Sequence, residues 1–294
     1  MPGYAKLALN NQLRPGDLIN KIRSADPRYF QILALASLTL IYLATSDYAP
    51  DIQIFGVLII SLFTTHYISE ICRRKAWYSP LKTDYKSVLI SAFSLFLLLR
   101  CESVLLYLLA GIACVAGKVF LRTAGGHVFN PANIVIVMFL LFFSDYVWVS
   151  PGQWGQSGWL IGLLVCLAAL VLTGARQLTT AVFFLLFYAL AIFGRALWLG
   201  DPIVIPLHEM QSGALLIFAF FMITDPKTTP KSALNRMYFA LAIAAITLIM
   251  KTEFQIREAV FYSLALVCGF TGLFELFTKR SLRRENPDKN FIPA

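Results

Sequence analysis

Charge is what this sequence has least of: 14% of its 294 residues are charged and 58% are hydrophobic. That is about half the charged share of an ordinary soluble domain, which excludes a soluble single core. Metal motifs are missing as well. The chain has three histidines and five cysteines, and Cys72, Cys101, Cys114, Cys166 and Cys268 are scattered with no CxxC pair and no HExxH run. This argues against a zinc site or a cysteine-ligated iron–sulfur cluster, and the cysteines read as small apolar fillers. The first 28 residues lack the apolar stretch of a signal peptide. Within them Leu18, Ile19 and Ile22 share a face beside Lys21 and Arg23, either as a short helix on a membrane surface or as part of a solvated tail.

Long apolar runs are there instead. Mean hydropathy is +0.70, and ten stretches of roughly 15 to 20 residues alternate with short polar loops, the pattern of a polytopic membrane protein. The expected spans are 29–45, 52–69, 86–100, 103–121, 131–149, 157–174, 178–198, 208–224, 235–251 and 258–278, the third and eighth short or ending at special residues. Lipid offers no partner to unsatisfied backbone groups, so all ten are expected to be helical. The fold class is therefore all-α. An N-terminal segment (1–28) and a basic tail (279–294) flank a ten-helix membrane domain (29–278).

The basic residues set the orientation. Of the 25 lysines and arginines, all but Arg100, Arg195, Lys251 and Arg257 fall on one side of this topology, so both termini are expected in the cytoplasm of a bacterial inner membrane. Trp148, Trp154, Trp159 and Trp198 fall near the opposite interface, and Trp77 near the cytoplasmic one. The net charge of +9 is thus sorted by membrane side and does not form a nucleic-acid face. Ten spans divide as five plus five, and an odd-numbered unit repeated in sequence must be inverted in the membrane. Two inverted five-helix repeats are permitted, without visible sequence similarity between the halves.

Two cytoplasmic loops break the apolar monotony. In KVFLRTAGGHVFNPAN, residues 118–133, Gly125 and Gly126 allow a tight turn, Asn130 can cap, and Pro131 suits a first helical position. With Lys118, Arg122 and His127 nearby, this is either a seat for an anion or a helix-starting turn with positive-inside charges. In TDPKTTPKS, residues 224–232, Asp225 follows Thr224 at a helix C-terminus whose dipole opposes a carboxylate. Lys227, Lys231, Lys118 or a bound cation could compensate it. His66 with Glu70, His208 with Glu209, and Arg195 are further ionisable residues at membrane depth, each an interfacial anchor or a transport group.

The run GKVFLRTAGGHVFNPAN resembles a segment of the D-type membrane component of Rnf electron-transport complexes and of the B-type component of sodium-pumping NADH:quinone reductase. LHEMQSGALLIFAFFMITDPKTTP resembles a later segment of the same components, and order and spacing fit over roughly 30–280. The resemblance implies a ten-helix fold of two inverted units, distantly like urea transporters, in a flavin-based redox chain coupled to Na⁺ or H⁺ movement. Its motifs carry over to Lys118, Gly125, Gly126, Asn130, Pro131, Thr224, Asp225 and Pro226. Full-length relatives attach FMN to the threonine of a Ser-Gly-Ala-Thr motif after the fifth helix. This chain has SPGQWGQSGWL there, with Ser150, Ser157 and Gly158 but no threonine between Thr123 and Thr173. No covalent FMN is expected.

The expected function is a membrane subunit of a flavin- or quinone-linked electron-transport system. Its expected cofactor is a non-covalent flavin (FMN or riboflavin) or a quinone, and its expected partners are membrane lipid and redox subunits. Lys118, Gly125, Gly126, His127, Asn130, Thr224 and Asp225 are the candidate binding residues, and Phe120, Phe129, Phe218, Phe220 and Phe221 could line a ring pocket. The alternative is a small-solute or ion transporter of urea-transporter-like architecture without redox chemistry, with Ser212, Gly213 and Ala214 along its path.

Overall fold

The computed structural model describes residues 26–45, 51–74, 84–123, 126–150 and 177–285. The expected sixth span, Gly125, the surface stretch before residue 26, Trp77, Trp154, Trp159 and the Ser157-Gly158 remnant lie outside them.

Helices overlie the other nine expected spans. They are α1 (Pro27–Thr45), α2 (Ile52–Arg74), α3 (Tyr85–Leu98), α4 (Val104–Phe120), α5 (Pro131–Phe142), α6 (Leu178–Leu199), α7 (Val204–Met210) with α8 (Gly213–Ile217), α9 (Ala233–Thr252) and α10 (Ala259–Glu285). Short polar residues start them: the Ser103 hydroxyl accepts from the Leu105 amide at the head of α4, and Ser232 does the same for the Asn235 amide at α9. Gly200, with φ of 75°, ends α6 in the left-handed conformation. Helix α10 runs on to Glu285, so the basic tail expected from 279 begins as helix. By length and composition α2, α6 and α9 can each cross a membrane; α7 and the segment Gly213–Met222, bent by 48°, make a fourth if the pair is taken as one span.

The sequence marks the third and eighth spans as unusual, and both are discontinuous. Helix α3 stops at Leu98 and its chain continues as β1 (Leu99–Cys101). After α5 stops at Phe142, the chain turns and forms β4 (Val147–Val149), which pairs antiparallel with β1. This corrects the expectation of helix throughout 86–100 and 131–149. Leu99, Arg100, Val147 and Val149 are buried, so the extended backbone has a protein partner where lipid offers none. In the eighth span the break falls at Gln211 and Ser212, and a π-helical turn (Phe218–Met222) follows α8.

Burial shows what is central. Every residue from Gly213 to Thr224 is buried, as is every residue from Ser91 to Arg100; a segment apolar on all sides belongs inside the bundle. Phe218 meets Phe184 of α6 and Phe261 of α10 edge-on at 5.2 and 5.6 Å. Around this core the most extensive helix pairings are α2 on α4 and α6 on α9. Gly111 makes the first of these contacts close: a Cβ there would run into the Ser61 side chain, whose hydroxyl donates to the Leu108 carbonyl at 2.7 Å.

Arg100 departs from its expected place. Sequence sorting puts it at an interface, whereas it is 7% exposed. Its guanidinium donates to the carbonyls of Phe96 (2.6 Å), Leu99 (2.9 Å) and Leu97 (3.4 Å), and to the Tyr42 hydroxyl (3.0 Å). It thereby caps the carbonyls that α3 leaves open where the helix breaks.

Candidate functional site

The two polar loops meet, although 95 residues separate Asn130 from Asp225. Asn130 holds the first loop in place. Its Oδ1 accepts from the amides of Ala132 and Asn133, both at 3.1 Å, so it caps α5, with Pro131 at the first helical position. Its Nδ2 faces the other way and donates to Asp225 Oδ2 at 3.4 Å and the Met222 carbonyl at 3.5 Å. The turn before it is short: β2 (Arg122–Thr123) pairs with β3 (Gly126–His127). Gly126 has φ of 131°, a conformation that side chains rarely adopt, and the Lys227 stem lies against it. Below the turn, Val128 fills the place a Cβ would take at Gly272 of α10, 2.5 Å away.

Asp225 ends the eighth span. Its Oδ1 accepts from the Lys227 amide at 3.0 Å, and its Oδ2 lies 3.6 Å from His127 Nε2. Its side chain is 14% exposed and that of His127 13%. Burial pushes the carboxyl above the usual carboxylate range, against the pull of His127; burial likewise lowers the imidazole, against the pull of Asp225. The contacts that compensate it are an imidazole, an amide side chain and a backbone N–H, and the ammonium groups of the expected lysines, Lys118 and Lys227, add their charge without touching it. Thr224 is committed within its own helix end, donating to the Phe220 carbonyl at 2.6 Å. Thr229 does the same for the carbonyls of Ile223 and Asp225, both at 2.8 Å.

These groups form one wall of a cavity of about 690 Å³. The opposite wall is Ser87, Ser91 and Ser94 of α3 with Lys118 of α4, and the mouth carries Asp26, Arg28 and Asp84. Lys118 Nζ donates to Ser87 Oγ at 2.6 Å. At the mouth Arg28 bridges Asp26 (3.1 Å) and Asp84 (3.0 Å), and Lys86 also reaches Asp26 (2.8 Å). Lys86 and Arg28 hold the Asp26 carboxyl well below the usual range. Two buried polar atoms close by have no hydrogen-bond partner among the described residues, His127 Nδ1 and Asn133 Oδ1; Asn133 Nδ2 donates to the Phe261 carbonyl at 3.1 Å.

Of the candidate binding residues, Lys118, His127, Asn130, Thr224 and Asp225 line this cavity, and Gly126 shapes its turn. Of the aromatic candidates, Phe220 and Phe221 line it. Phe120 is 81% exposed, and Phe218 belongs to the aromatic core. The serine stripe is readable in the sequence as a four-then-three helical spacing. The walls that α1 contributes leave no motif to find.

The other ionisable residues sit elsewhere. Glu70 pairs with Arg73 at 2.6 Å, and Arg195 lies 3.8 Å from Asp201. Glu209, next to the break in the eighth span, accepts from the Tyr188 hydroxyl and the Lys251 ammonium. This cluster adjoins a smaller cavity of about 150 Å³ that Ser212 and Ala214 also line.

Comparison with known proteins adds a second kind of finding. Residues 150–283 match the NQR2, RnfD, RnfE family. The chain is similar to the D-type component of the proton-translocating ferredoxin:NAD(+) oxidoreductase complex of Clostridium ljungdahlii, 27% identical over 62% of this chain and 46% of the relative. It is also similar to the D-type component of the Na(+)-translocating ferredoxin:NAD(+) oxidoreductase complex of Acetobacterium woodii, 36% identical over 32% of this chain and 29% of the relative. The corresponding component of the ion-translocating oxidoreductase complex of Alcanivorax borkumensis is 29% identical over 45% of this chain and 39% of the relative. The chain spans less than half the length of these curated relatives.

Proposed function

From its kinship with the NQR2, RnfD, RnfE family we propose that this chain is a membrane subunit of an electron-transport complex whose redox reaction is coupled to Na⁺ or H⁺ movement. The observation that carries this reading is the cavity between the two polar loops, whose lining includes His127 with its unpartnered buried Nδ1 and a ring of committed polar groups. Buried polar atoms without partners are costly, and a bound ligand is one way to satisfy them.

The residues present fit a non-covalent flavin or a quinone. A volume of about 690 Å³ lies within the ordinary range for small-molecule sites, Phe220 and Phe221 supply aromatic surface, and His127, Asn130 and Lys118 supply polar contacts for ring carbonyls or nitrogens. Such a group would supply electron transfer when bound. The chain's part is to hold it, to exclude bulk water with the α1 residues at the mouth, and to keep Asp225 and His127 beside it as a pair that can hold or pass a proton.

The architecture supports ten spans in two inverted fives. The third helix of the first five and the third of the second are both central and both broken, and the second packs on the fourth in each. With the basic residues sorted as they are, the Asp225 cavity faces the cytoplasm, both termini lie there, and the membrane is a bacterial inner membrane. On this reading the membrane domain is 29–278, between the segment 1–28 and the basic tail. Partner subunits must carry the iron–sulfur and nicotinamide chemistry, for which this chain has no motif. A transporter without redox chemistry is the second reading, favoured by the cavities at both ends of the broken eighth span.

Purification of the tagged chain from native membranes in mild detergent tests the proposal. It should bring with it subunits that hold iron–sulfur or nicotinamide sites, and the chain's own band should show no ultraviolet fluorescence on a denaturing gel. Isolation of the chain alone would count against the complex. A fluorescent band lost in Ser157→Ala would show a covalent flavin after all.

A further inference from the structure

Lys118 differs from the other charged residues of the cavity, of which Lys227, also without an ion pair among the described residues, is exposed to solvent while Lys118 is partly buried. Arg28 is bridged to two aspartates, and Asp225 has His127 beside it. Among the described residues Lys118 has one hydrogen-bond partner, the neutral Ser87 hydroxyl at 2.6 Å, and forms no ion pair. It lies in the last turn of α4, where the dipole favours a cation, with its ammonium directed at the serine stripe of α3 in the cavity wall. Asp84 and Asp225 act on it only from a distance, and a partly buried ammonium without a carboxylate in contact favours an anion beside it.

We propose that Lys118, oriented by Ser87, is the cation that the cavity sets against its ligand, so that the site binds the reduced, negatively charged form of a flavin more tightly than the oxidised, neutral form. This rests on the redox reading of the cavity. Two electrons come one at a time from an iron–sulfur centre in a partner subunit, or from dithionite in the test, and one proton comes from solvent. The reduced flavin then carries one negative charge at mildly alkaline pH, and Lys118 keeps its proton. Asp84 at the mouth and Asp225 in the facing wall oppose an anion elsewhere in the cavity, which places the anionic edge on the Lys118 side. A lysine at this position therefore raises the reduction potential of a flavin bound there, because preferential binding of one redox state is a shift in potential by linkage.

The test is anaerobic equilibrium dialysis of riboflavin, and separately of a short-chain quinone, against the detergent-purified full chain. Each probe is used oxidised and dithionite-reduced, at mildly alkaline pH. The wild-type protein should bind reduced, anionic riboflavin at least about tenfold tighter than oxidised riboflavin, whereas the quinol, neutral at this pH, should show no such charge preference. Lys118→Met should bring that ratio close to one by weakening the reduced form far more than the oxidised form, and Lys118→Arg, which keeps the charge, should retain most of it. Equal riboflavin affinities in the wild type, or a ratio unmoved in Lys118→Met, would overturn the role of Lys118 alone. The wild-type comparison decides the matter even where the Met variant does not fold. Failure of both probes to bind in either state would remove the redox reading of the cavity, and the proposal with it.

Discussion

Asp225→Asn is expected to cut coupled ion uptake by membrane vesicles at least about tenfold at matched expression, while Glu253→Gln in the opposite loop stays within about twofold. The asparagine keeps the size and one acceptor oxygen. It loses the group that links three elements: the Lys227 amide, the Asn130 amide side chain that caps α5, and the His127 imidazole. Equal loss in both variants would remove the special role of the carboxylate. The pair also sets a pH dependence of stability. Asp225 has a raised value in the folded chain, so its contribution falls as pH rises from its ordinary 3.8 through that raised value. His127 has a lowered value, so its contribution rises with pH over the window that ends at its ordinary 6.5. Asp225→Asn should erase the first slope and keep the second, measurable as the thermal midpoint in detergent across the acid range.

Arg100→Met should be the most destabilising single change outside the cavity, by about 2–4 kcal/mol. The guanidinium is buried and four of its hydrogen bonds end on Phe96, Leu97, Leu99 and Tyr42. Methionine fills much of the volume but leaves the carbonyls at the end of α3 unsatisfied where neither water nor lipid can serve them. Arg100→Lys should recover only part of the loss, since an ammonium cannot fork over several acceptors as a planar guanidinium does. Thermal unfolding in detergent measures this, and an unchanged midpoint in Arg100→Met would show that the cap is dispensable.

The same residue shows where the sequence stops being legible. Apolar runs locate the nine described helical spans, because lipid forces helix on any long apolar stretch, but α2, α5 and α10 end at Arg74, Phe142 and Glu285 where 69, 149 and 278 are expected. They cannot show that Arg100 turns inward, because charge sorting by membrane side treats every arginine as an anchor. Nor do they reveal β1 and β4, whose Leu-Arg-Cys and Val-Trp-Val sequences look like the apolar helix ends around them; only pairing between distant segments makes them strands.

At the candidate site the pattern is similar. The glycine turn, the Asn-Pro helix start and the Thr-Asp-Pro stop are local signals with local causes, and each is read correctly as a loop feature. That Asn130 serves both loops at once, and that His127 is the neighbour of Asp225, depends on where the packing of α5 on α4 and α10 puts its N-terminus and on Val128 seating against Gly272. Asp26, Arg28 and Asp84 read as ordinary positive-inside loop charges and their acidic neighbours. Only the meeting of α1 and α3 makes them the mouth of a cavity.

The most direct test of the redox reading is to extract what the chain holds. The protein, purified from its native membrane in mild detergent under anaerobic conditions and in the dark, would be denatured in organic solvent and the extract separated chromatographically. The expected result is a free flavin or a quinone at close to one equivalent per chain, with the amount sharply reduced in Asp225→Asn. Neither a flavin nor a quinone above the level of a control membrane protein, from chain that is folded and associated with its partner subunits, would contradict it.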